Sequence, residues 1–249
     1  MKKILTINHI KKNFNTIQGE IEAIKDISLE VYEGEFLSIV GSSGCGKSTL
    51  LNILSFLEKP TSGDFHYHIN HPVIGYMLQE DALFPWLTIR DNALVGLKIQ
   101  DNCSANNIEY VDQLLDTYGL KEFKNKYPHE LSGGMKQRVA LIRTLAIKPD
   151  ILMLDEAFSA LDYQSRLAVS NDVYDIIKKE NKTVIMITHD IAEAISMSDR
   201  VVVLSKRPGT IKNIYNIEYE QKDTPISNRN TKEFNKYYEL IWKDLDVTI

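Results

Sequence analysis

The sequence contains few cysteines and no apolar run long enough to cross a membrane. Cys45 and Cys103 are its two cysteines, which excludes a disulfide framework and a paired cysteine metal site and indicates a reducing compartment. Spanning a bilayer takes about 20 consecutive apolar residues, whereas polar residues soon interrupt every apolar run here. No secretory segment is predicted either. We therefore expect a cytoplasmic protein that needs another subunit for any work at a membrane.

The chain also lacks a basic surplus. Its 249 residues include 34 Asp plus Glu against 29 Lys plus Arg, a formal net charge of −5. Nucleic-acid-binding surfaces need basic side chains in excess to neutralise phosphates, so no nucleic-acid partner is expected. A hydrophobic fraction of 43% and a charged fraction of 25% are ordinary for a soluble globular chain. The length fits one large domain or two closely associated ones.

Short apolar segments alternate with amphipathic ones along most of the chain. The predicted strands lie at residues 4–10, 27–31, 36–40, 65–69, 73–77, 151–154, 184–187, 201–204 and 211–215. The predicted helices lie at 48–57, 88–97, 108–118, 137–147 and 163–179. A turn-rich stretch is predicted at 13–19, and a short hairpin around 65–75. Strands that alternate with helices indicate right-handed crossovers and an α/β fold with a largely parallel sheet.

A phosphate-binding loop is predicted directly after the strand at 36–40. Residues 41–48 read GSSGCGKS and match GxxxxGK[ST], between a strand and a helix as that motif requires. Glycines let successive amide N–H groups turn inward and form an anion site at the helix N-terminus. Lys47 is expected to reach the outer phosphates of a nucleotide, and the Ser48 hydroxyl to ligate Mg²⁺. The expected cofactor-binding residues here are Gly41, Ser42, Ser43, Gly44, Cys45, Gly46, Lys47, Ser48 and Thr49.

Two further strands are predicted to end in chemically active groups. Asp155 and Glu156 follow the strand at 151–154, and His189 follows the strand at 184–187. Ligands of parallel sheets bind at the carboxyl ends of the strands. Asp155 is therefore expected to hold Mg²⁺, and Glu156 to polarise an attacking water as a catalytic residue. The His189 imidazole is expected to donate a hydrogen bond to the γ-phosphate.

A second anion-binding helix start is predicted at Ser132, Gly133 and Gly134, within Leu-Ser-Gly-Gly. Ser132 is a favourable N-cap, and the glycines allow an anion to approach the backbone closely. Such a second site is redundant unless it serves the nucleotide of another chain. Together with Gln79 and with Asp162 in Ser-Ala-Leu-Asp, these motifs stand in the order found in ABC transporters. The chain resembles the ATP-binding subunit of such a transporter over nearly its whole length.

The resemblance implies a P-loop NTPase ABC-type cassette. Its parts would be a mainly parallel core sheet, an antiparallel β subdomain and a helical signature subdomain at about 88–148, all within residues 1–224. ATP and Mg²⁺ would be the cofactors. Gln79 would be a catalytic and metal-binding residue that contacts Mg²⁺ and the attacking water, and Phe14 would stack on adenine. Two subunits would dimerise head-to-tail, so that the signature contacts the partner's γ-phosphate and Asp162 lies at the interface; the intact motifs favour a homodimer, with a heterodimer as the alternative.

Within the family, the chain most resembles the importers of nitrate, sulfonate, taurine and bicarbonate, a branch that also includes carriers of thiamine precursors. The segment after Gln79 resembles their loop facing the membrane partner, and residues 205–209, SKRPG, resemble a late turn of that branch. Phe84 and Trp86 are expected to be exposed and to receive a helix of the membrane subunit, with burial of both as the alternative. The implied partners are transmembrane permease subunits and, indirectly, an extracellular solute-binding protein. The implied location is the inner face of the cell membrane.

Other features leave alternatives open. Ala157 replaces the proline usual in these subunits, and Ser159 stands where this branch often has glycine. Cys45 is expected to lend its backbone to the phosphate loop, with a reactive thiol as the alternative. The histidines His66, His68 and His71 are expected to be solvated, with metal binding as the alternative. The tail at 225–249 carries one apolar stripe and is expected either to pack on the cassette or to bind a partner: Phe234, Tyr237, Tyr238, Ile241, Trp242 and Leu245.

Two other functional classes are alternatives to an importer subunit. A soluble ABC-type ATPase of DNA repair or translation usually carries a long coiled-coil insertion or two fused cassettes, and neither is visible in the sequence. A P-loop kinase or small-molecule enzyme has no use for the Leu-Ser-Gly-Gly signature or for His189. The sequence therefore favours the importer subunit.

Overall fold

The computed structural model describes residues 2–17, 19–159 and 161–245. Within these residues, nine strands form one sheet in the order β4-β1-β2-β9-β8-β3-β7-β6-β5. The strands are β1 (Lys3–Thr16), β2 (Gly19–Tyr32), β3 (Phe36–Val40), β4 (Ser62–Tyr67), β5 (Ile74–Met77), β6 (Ile151–Asp155), β7 (Thr183–Thr188), β8 (Arg200–Leu204) and β9 (Gly209–Asn216). The helices are α1 (Lys47–Leu54), α2 (Ile89–Ile99), α3 (Ala105–Thr117), α4 (Gly133–Ala146), α5 (Tyr163–Lys179), α6 (Ile191–Met197), α7 (Pro225–Asn228) and α8 (Lys232–Asp244).

The sheet has a parallel core and an antiparallel part. Strands β5, β6, β7, β3 and β8 are parallel neighbours, whereas β1 pairs antiparallel with both β2 and β4. Strand β9 is antiparallel to β8 and parallel to β2, which joins the two parts. The predicted α/β fold with a mainly parallel core sheet is confirmed.

Alternate residues of the central strands face opposite layers of the protein. In β6, Leu152 and Leu154 belong to the apolar cluster formed with α2 to α5, while Ile151 and Met153 belong to the cluster that contains α1. Strand β3 is buried at all five positions. A strand covered on both faces has no polar face, which explains the continuous apolar runs of the sequence. Because apolar layers pack on both faces of the sheet, the ends of its central strands, which carry the functional residues, are held in place.

The hairpin predicted around residues 65–75 is wrong. Strand β4 pairs with β1 and strand β5 pairs with β6, at opposite ends of the sheet. Two short apolar segments joined by polar residues resemble a hairpin locally, but their partners are set by contacts distant in sequence. The imidazole of His68 bonds to the Thr6 hydroxyl at 2.8 Å. Within the described residues, no group of three or more His, Cys, Asp or Glu side chains is placed to hold a metal ion.

Several predicted boundaries also shift. The turn predicted at 13–19 is shorter, because β1 continues to Thr16 and β2 begins at Gly19. Helix α1 ends at Leu54 rather than at 57. Helix α4 begins at Gly133, four residues before the apolar periodicity at 137–147, and this confirms the helix start and N-cap predicted at Ser132, whose hydroxyl accepts a hydrogen bond from the Met135 amide. Helices α6 and α7 were not predicted.

The last helix, α8, lies against α6 and β9. Phe234 and Ile241 are buried there, and the rings of Phe234, Tyr238 and Trp242 stack in succession with 5.9 Å between neighbouring centroids. The subdomain boundaries at about 88–148 and at 225 stay predictions, and residues 246–249 of the tail lie outside the described residues. Among the helices of the described part, none has the length and apolarity needed to cross a membrane.

Candidate nucleotide-binding site

The phosphate loop lies between β3 and α1 and depends on its glycines. Gly44 and Gly46 have φ angles of +75° and +104°, a region that side chains with a Cβ rarely occupy. A Cβ at Gly46 would also lie 2.9 Å from the Ala23 carbonyl oxygen of β2. The Cys45 thiol is buried beneath the loop, and burial raises its pKa. Because the thiolate is the reactive form, this supports the backbone role of Cys45 over the reactive thiol.

A cavity of about 600 Å³ opens beside this loop. It is lined by nine predicted site residues: Phe14, Ser43, Gly44, Gly46, Lys47, Ser48, Thr49, Gln79 and Glu156. Sequence reasoning missed three further lining residues, Ile21, Ala23 and Arg207. Ile21 is the cross-strand partner of Phe14 in the β1–β2 pair, so a correct pairing of these two strands would have identified it. Eight other predicted site residues are not among the lining residues: Gly41, Ser42, Cys45, Ser132, Gly133, Gly134, Asp155 and His189.

Lys47 is the buried cation of the loop, with a side chain 5% exposed. Its ammonium donates to the carbonyl oxygens of Gly41 at 2.9 Å and Ser42 at 3.2 Å. The Glu156 carboxylate lies 3.9 Å away. A buried ammonium held mainly by neutral carbonyls is suited to an incoming anion, since a phosphate compensates its charge more fully.

Asp155 ends β6 next to the start of α1. Its carboxylate accepts hydrogen bonds from the Ser48 hydroxyl at 3.2 Å and from the Tyr76 hydroxyl at 2.9 Å. Burial raises the pKa of Asp155, and these two hydrogen bonds oppose that rise. Together with the amide of Gln79, Ser48 and Asp155 present uncharged and anionic oxygen donors, the hard ligand set that Mg²⁺ prefers. The residues present therefore fit the predicted metal.

Glu156 and His189 meet at the ends of β6 and β7. The imidazole Nδ1 of His189 lies 3.0 Å from the Glu156 carboxylate. Glu156 has a φ angle of +45°, and its amide donates to the Ile187 carbonyl of β7 at 2.9 Å. A left-handed conformation at a residue other than glycine costs about 1–3 kcal/mol and is found mainly at functional sites. The strained backbone and the hydrogen bond fix the carboxylate at the cavity wall.

Phe14 and Gln79 both line the cavity. Phe14 is 36% exposed, and the Lys12 ammonium lies 4.8 Å from its ring centroid. The Gln79 amide donates to the Ser159 hydroxyl at 3.1 Å. Ala157, which replaces the usual proline, is buried. The structure gives no separate role to the Ala157 methyl group.

The predicted signature residues do not line this cavity. Ser132 and Gly133 are exposed at the start of α4. A Cβ at Gly133 would meet Leu161 at 3.1 Å, and one at Gly134 would meet Val169 of α5 at 2.8 Å. The glycines therefore allow α4 to start close to α5 and leave its amide end uncovered. Asp162 caps α5 by accepting a hydrogen bond from the Ser165 amide at 3.0 Å.

A family profile described as "ABC transporter" matches residues 24–159. The chain belongs to the ABC transporter family. The nitrate import ATP-binding protein NrtD of Synechocystis sp. is 39% identical over 95% of this chain and 93% of that protein. The taurine import ATP-binding protein TauB of Roseobacter denitrificans is 38% identical over 94% and 89%, respectively. The ABC transporter ATP-binding protein YtlC of Bacillus subtilis is 42% identical over 97% and 95%.

Solved ABC cassettes have the same fold. The dimeric ATP-binding cassette MJ0796, bound to ADP and phosphate, superposes with a TM-score of 0.72 at 29% identity, over 86% of this chain and 99% of that chain. The transporter subunit cbiO1 of Clostridium perfringens gives 0.76 at 27% identity, over 96% of both chains. The predicted ABC-type cassette is confirmed, and the chain is an ATP-binding, ATP-hydrolysing member of this family.

Proposed function

We propose that this ABC cassette hydrolyses ATP to drive import of a small anion or a related solute, of the nitrate, sulfonate, taurine or thiamine-precursor type. The observation that carries the proposal is the position of the Glu156 carboxylate, 3.0 Å from His189 and 3.9 Å from the phosphate-loop Lys47. The base and the phosphate-binding cation thus line one cavity, and the histidine is hydrogen-bonded to the base. The nitrate and taurine import relatives support the type of solute.

Binding begins with the phosphate loop. Lys47 exchanges the carbonyls of Gly41 and Ser42 for the outer phosphates of ATP. Adenine stacks on the Phe14 ring, on the face of the ring that the Lys12 ammonium does not cover. Ser48, Gln79 and Asp155 would hold Mg²⁺. When bound, Mg²⁺ neutralises charge on the phosphates.

Glu156 acts as the general base. Its carboxylate takes a proton from water while the water oxygen bonds to the γ-phosphorus, and the bond between that phosphorus and the bridging oxygen breaks. The products are ADP and inorganic phosphate. His189 orients the carboxylate through their hydrogen bond before the reaction, and its imidazole can then donate to the γ-phosphate.

A second copy of the chain completes each site. The exposed start of α4, with Ser132 and Gly133, lies outside its own cavity and presents amide groups to an anion. In a head-to-tail homodimer these groups contact the γ-phosphate held by the partner, and Asp162 lies between the two sites. The solved MJ0796 cassette is dimeric, which supports the association of two copies.

The segment after Gln79 provides the contact to the permease subunits. Trp86 is 70% exposed and Phe84 is 36% exposed, with 5.4 Å between their ring centroids. The buried Asn92 holds the backbone of this segment, since its side chain accepts from the Phe84 amide at 2.7 Å and donates to the Phe84 and Leu87 carbonyls at 3.1 Å. Two aromatic side chains on a fixed backbone suit a membrane-subunit helix. The cassette would thus lie on the inner face of the membrane, and a solute-binding protein would act on it only through the permease.

Two measurements test the proposal. Purified wild-type chain should bind and hydrolyse ATP, and Lys47→Ala should lose binding or turnover; an unchanged rate in that variant would remove the phosphate-loop assignment. Affinity purification from cells that express the whole transporter should recover a polytopic membrane protein. Recovery of nucleic acid in its place would favour an ATPase of DNA repair or translation.

A further inference from the structure

The turn between β8 and β9 reaches the nucleotide cavity. This turn spans residues 205–209, and its Arg207 side chain lines the cavity together with Phe14, Ala23 and Gly46. Strand β9 then continues beside β2, where Gly209 is the register partner of Ile24. No role in the reaction described above uses this turn.

The turn is fixed both internally and against the phosphate loop. The Ser205 hydroxyl accepts from the Thr210 amide at 3.0 Å and donates to the Pro208 carbonyl at 3.1 Å. The Ser205 amide donates to the Thr210 carbonyl at 2.9 Å. Gly209 is buried so tightly that a Cβ there would collide with the Cys45 carbonyl of the phosphate loop. The backbone of Arg207 is therefore held at a set position relative to the phosphate site.

The Arg207 guanidinium is exposed and uncompensated. Across residues 2–17, 19–159 and 161–245, no hydrogen bond or ion pair engages it. Among the cavity-lining residues the only carboxylate is Glu156, which is already within reach of His189 and Lys47. An unpaired guanidinium at the wall of a cavity is suited to an anionic ligand, because its planar fork matches phosphate oxygens in a bidentate geometry.

We propose that Arg207 is a further nucleotide-binding residue, whose guanidinium pairs with the phosphate oxygens of bound ATP and ADP from the β8–β9 turn. The contact would lie at the end of the phosphate loop near Gly46, because Gly209 holds the turn against Cys45 and Ala23. Phosphate is favoured over adenine because the Phe14 ring already offers a stacking surface in the same cavity. This inference rests on the proposed binding of ATP.

The test is the affinity of the purified chain for ATP and for ADP, measured by isothermal titration calorimetry at low and at high ionic strength. Arg207→Ala should weaken binding of both nucleotides about tenfold, as expected for the loss of one charge-assisted interaction. It should also flatten the salt dependence of binding. Arg207→Lys, which keeps the charge, should retain part of the affinity. Lys206→Ala is the matched control, since Lys206 is an exposed neighbour that does not line the cavity.

Three results would overturn the assignment. The first is an Arg207→Ala variant with wild-type affinity for both nucleotides. The second is weaker binding with an unchanged salt dependence, and the third is an Arg207→Lys variant as weak as Arg207→Ala; both would indicate stacking on the base. Lys47→Ala separates this inference from the proposed function. If wild type binds ATP and Lys47→Ala does not, an unaffected Arg207→Ala refutes only the role of Arg207, whereas absence of binding by wild type refutes the proposed function itself.

Discussion

The side-chain amide of Gln79 donates a hydrogen bond to the Ser159 hydroxyl, with 3.1 Å between nitrogen and oxygen. This bond joins the segment after β5 to the segment after β6. Because the amide nitrogen is engaged by Ser159, the position of the amide oxygen is fixed as well. That oxygen is the atom proposed to hold Mg²⁺. We therefore expect Ser159 to act as a positioning residue for Gln79.

We expect Ser159→Ala to lower the rate of ATP hydrolysis by up to about tenfold, the value of one hydrogen bond of 0.5–1.5 kcal/mol. ATP affinity should stay unchanged, because Ser159 does not line the cavity. Steady-state kinetics and calorimetry measure the two quantities separately. Ser159→Thr retains the hydroxyl and should restore the rate. A wild-type rate in Ser159→Ala would show that Gln79 needs no such support.

Glu156→Gln should reduce hydrolysis by at least about 100-fold, because the amide cannot accept the proton of the attacking water. The substitution preserves the size of the side chain and its ability to bond to His189, so ATP should still bind. With hydrolysis blocked, size-exclusion chromatography in ATP should show a larger share of dimer than for wild type. Full turnover in this variant would mean that another group is the base.

Tyr76→Phe should raise the Mg²⁺ concentration needed for half-maximal hydrolysis by about tenfold, a typical effect of removing a group that supports a metal ligand. The Tyr76 hydroxyl donates to the Asp155 carboxylate at 2.9 Å, and this bond opposes the rise of the Asp155 pKa. Tyr67→Phe is the matched control, since the Tyr67 hydroxyl donates to the Leu54 carbonyl and does not contact Asp155. Equal Mg²⁺ dependence in the two variants would contradict the role of Tyr76.

The residues of the phosphate loop could be predicted from sequence because their function and their fold are encoded in one short segment. Asp155, Glu156 and His189 could be predicted because parallel strands bring their carboxyl ends to one edge. Arg207 and Ala23 could not be predicted, since they lie where β2 pairs with β9, and that pairing joins Ile24 to Gly209, 185 residues apart in sequence. The hairpin at 65–75 was predicted wrongly for the same reason. Strand β4 pairs with β1 and strand β5 pairs with β6, and the local alternation of apolar and polar residues does not indicate these distant partners.

The burial of Glu193 could not be predicted from the sequence either. Glu193 lies between alanines in α6, and nothing in the neighbouring residues indicates a buried carboxyl group. It is 3% exposed, and burial raises its pKa to about 7. The folded state therefore binds the proton more tightly than the unfolded state, where the pKa is near 4.5. The stabilisation is complete below about pH 4.5 and is lost as the pH rises through about 7.

We expect the contribution of Glu193 to the free energy of unfolding to fall by about 3 kcal/mol across that range. Glu193→Gln, which stays neutral at every pH, should remove this part of the pH dependence and stabilise the protein at pH 8. Urea denaturation at a series of pH values measures the free energy of unfolding of each variant. Glu122→Gln, at an exposed position, is the control. Parallel pH profiles for wild type and Glu193→Gln would show that the Glu193 pKa is the same in the folded and the unfolded state.

Trp86→Ala should weaken binding of the cassette to its permease subunits at least tenfold, because a large exposed aromatic residue at an interface commonly contributes more than about 1–2 kcal/mol. ATP hydrolysis by the isolated chain should be unaffected, since Trp86 does not line the nucleotide cavity. The permease reconstituted in lipid nanodiscs, titrated with labelled cassette, provides the measurement. Trp242→Ala removes a tryptophan that is 36% exposed on α8 and serves as the control for general loss of aromatic surface. If Trp242→Ala weakens the association and Trp86→Ala does not, the permease binds the C-terminal helix rather than the segment after Gln79.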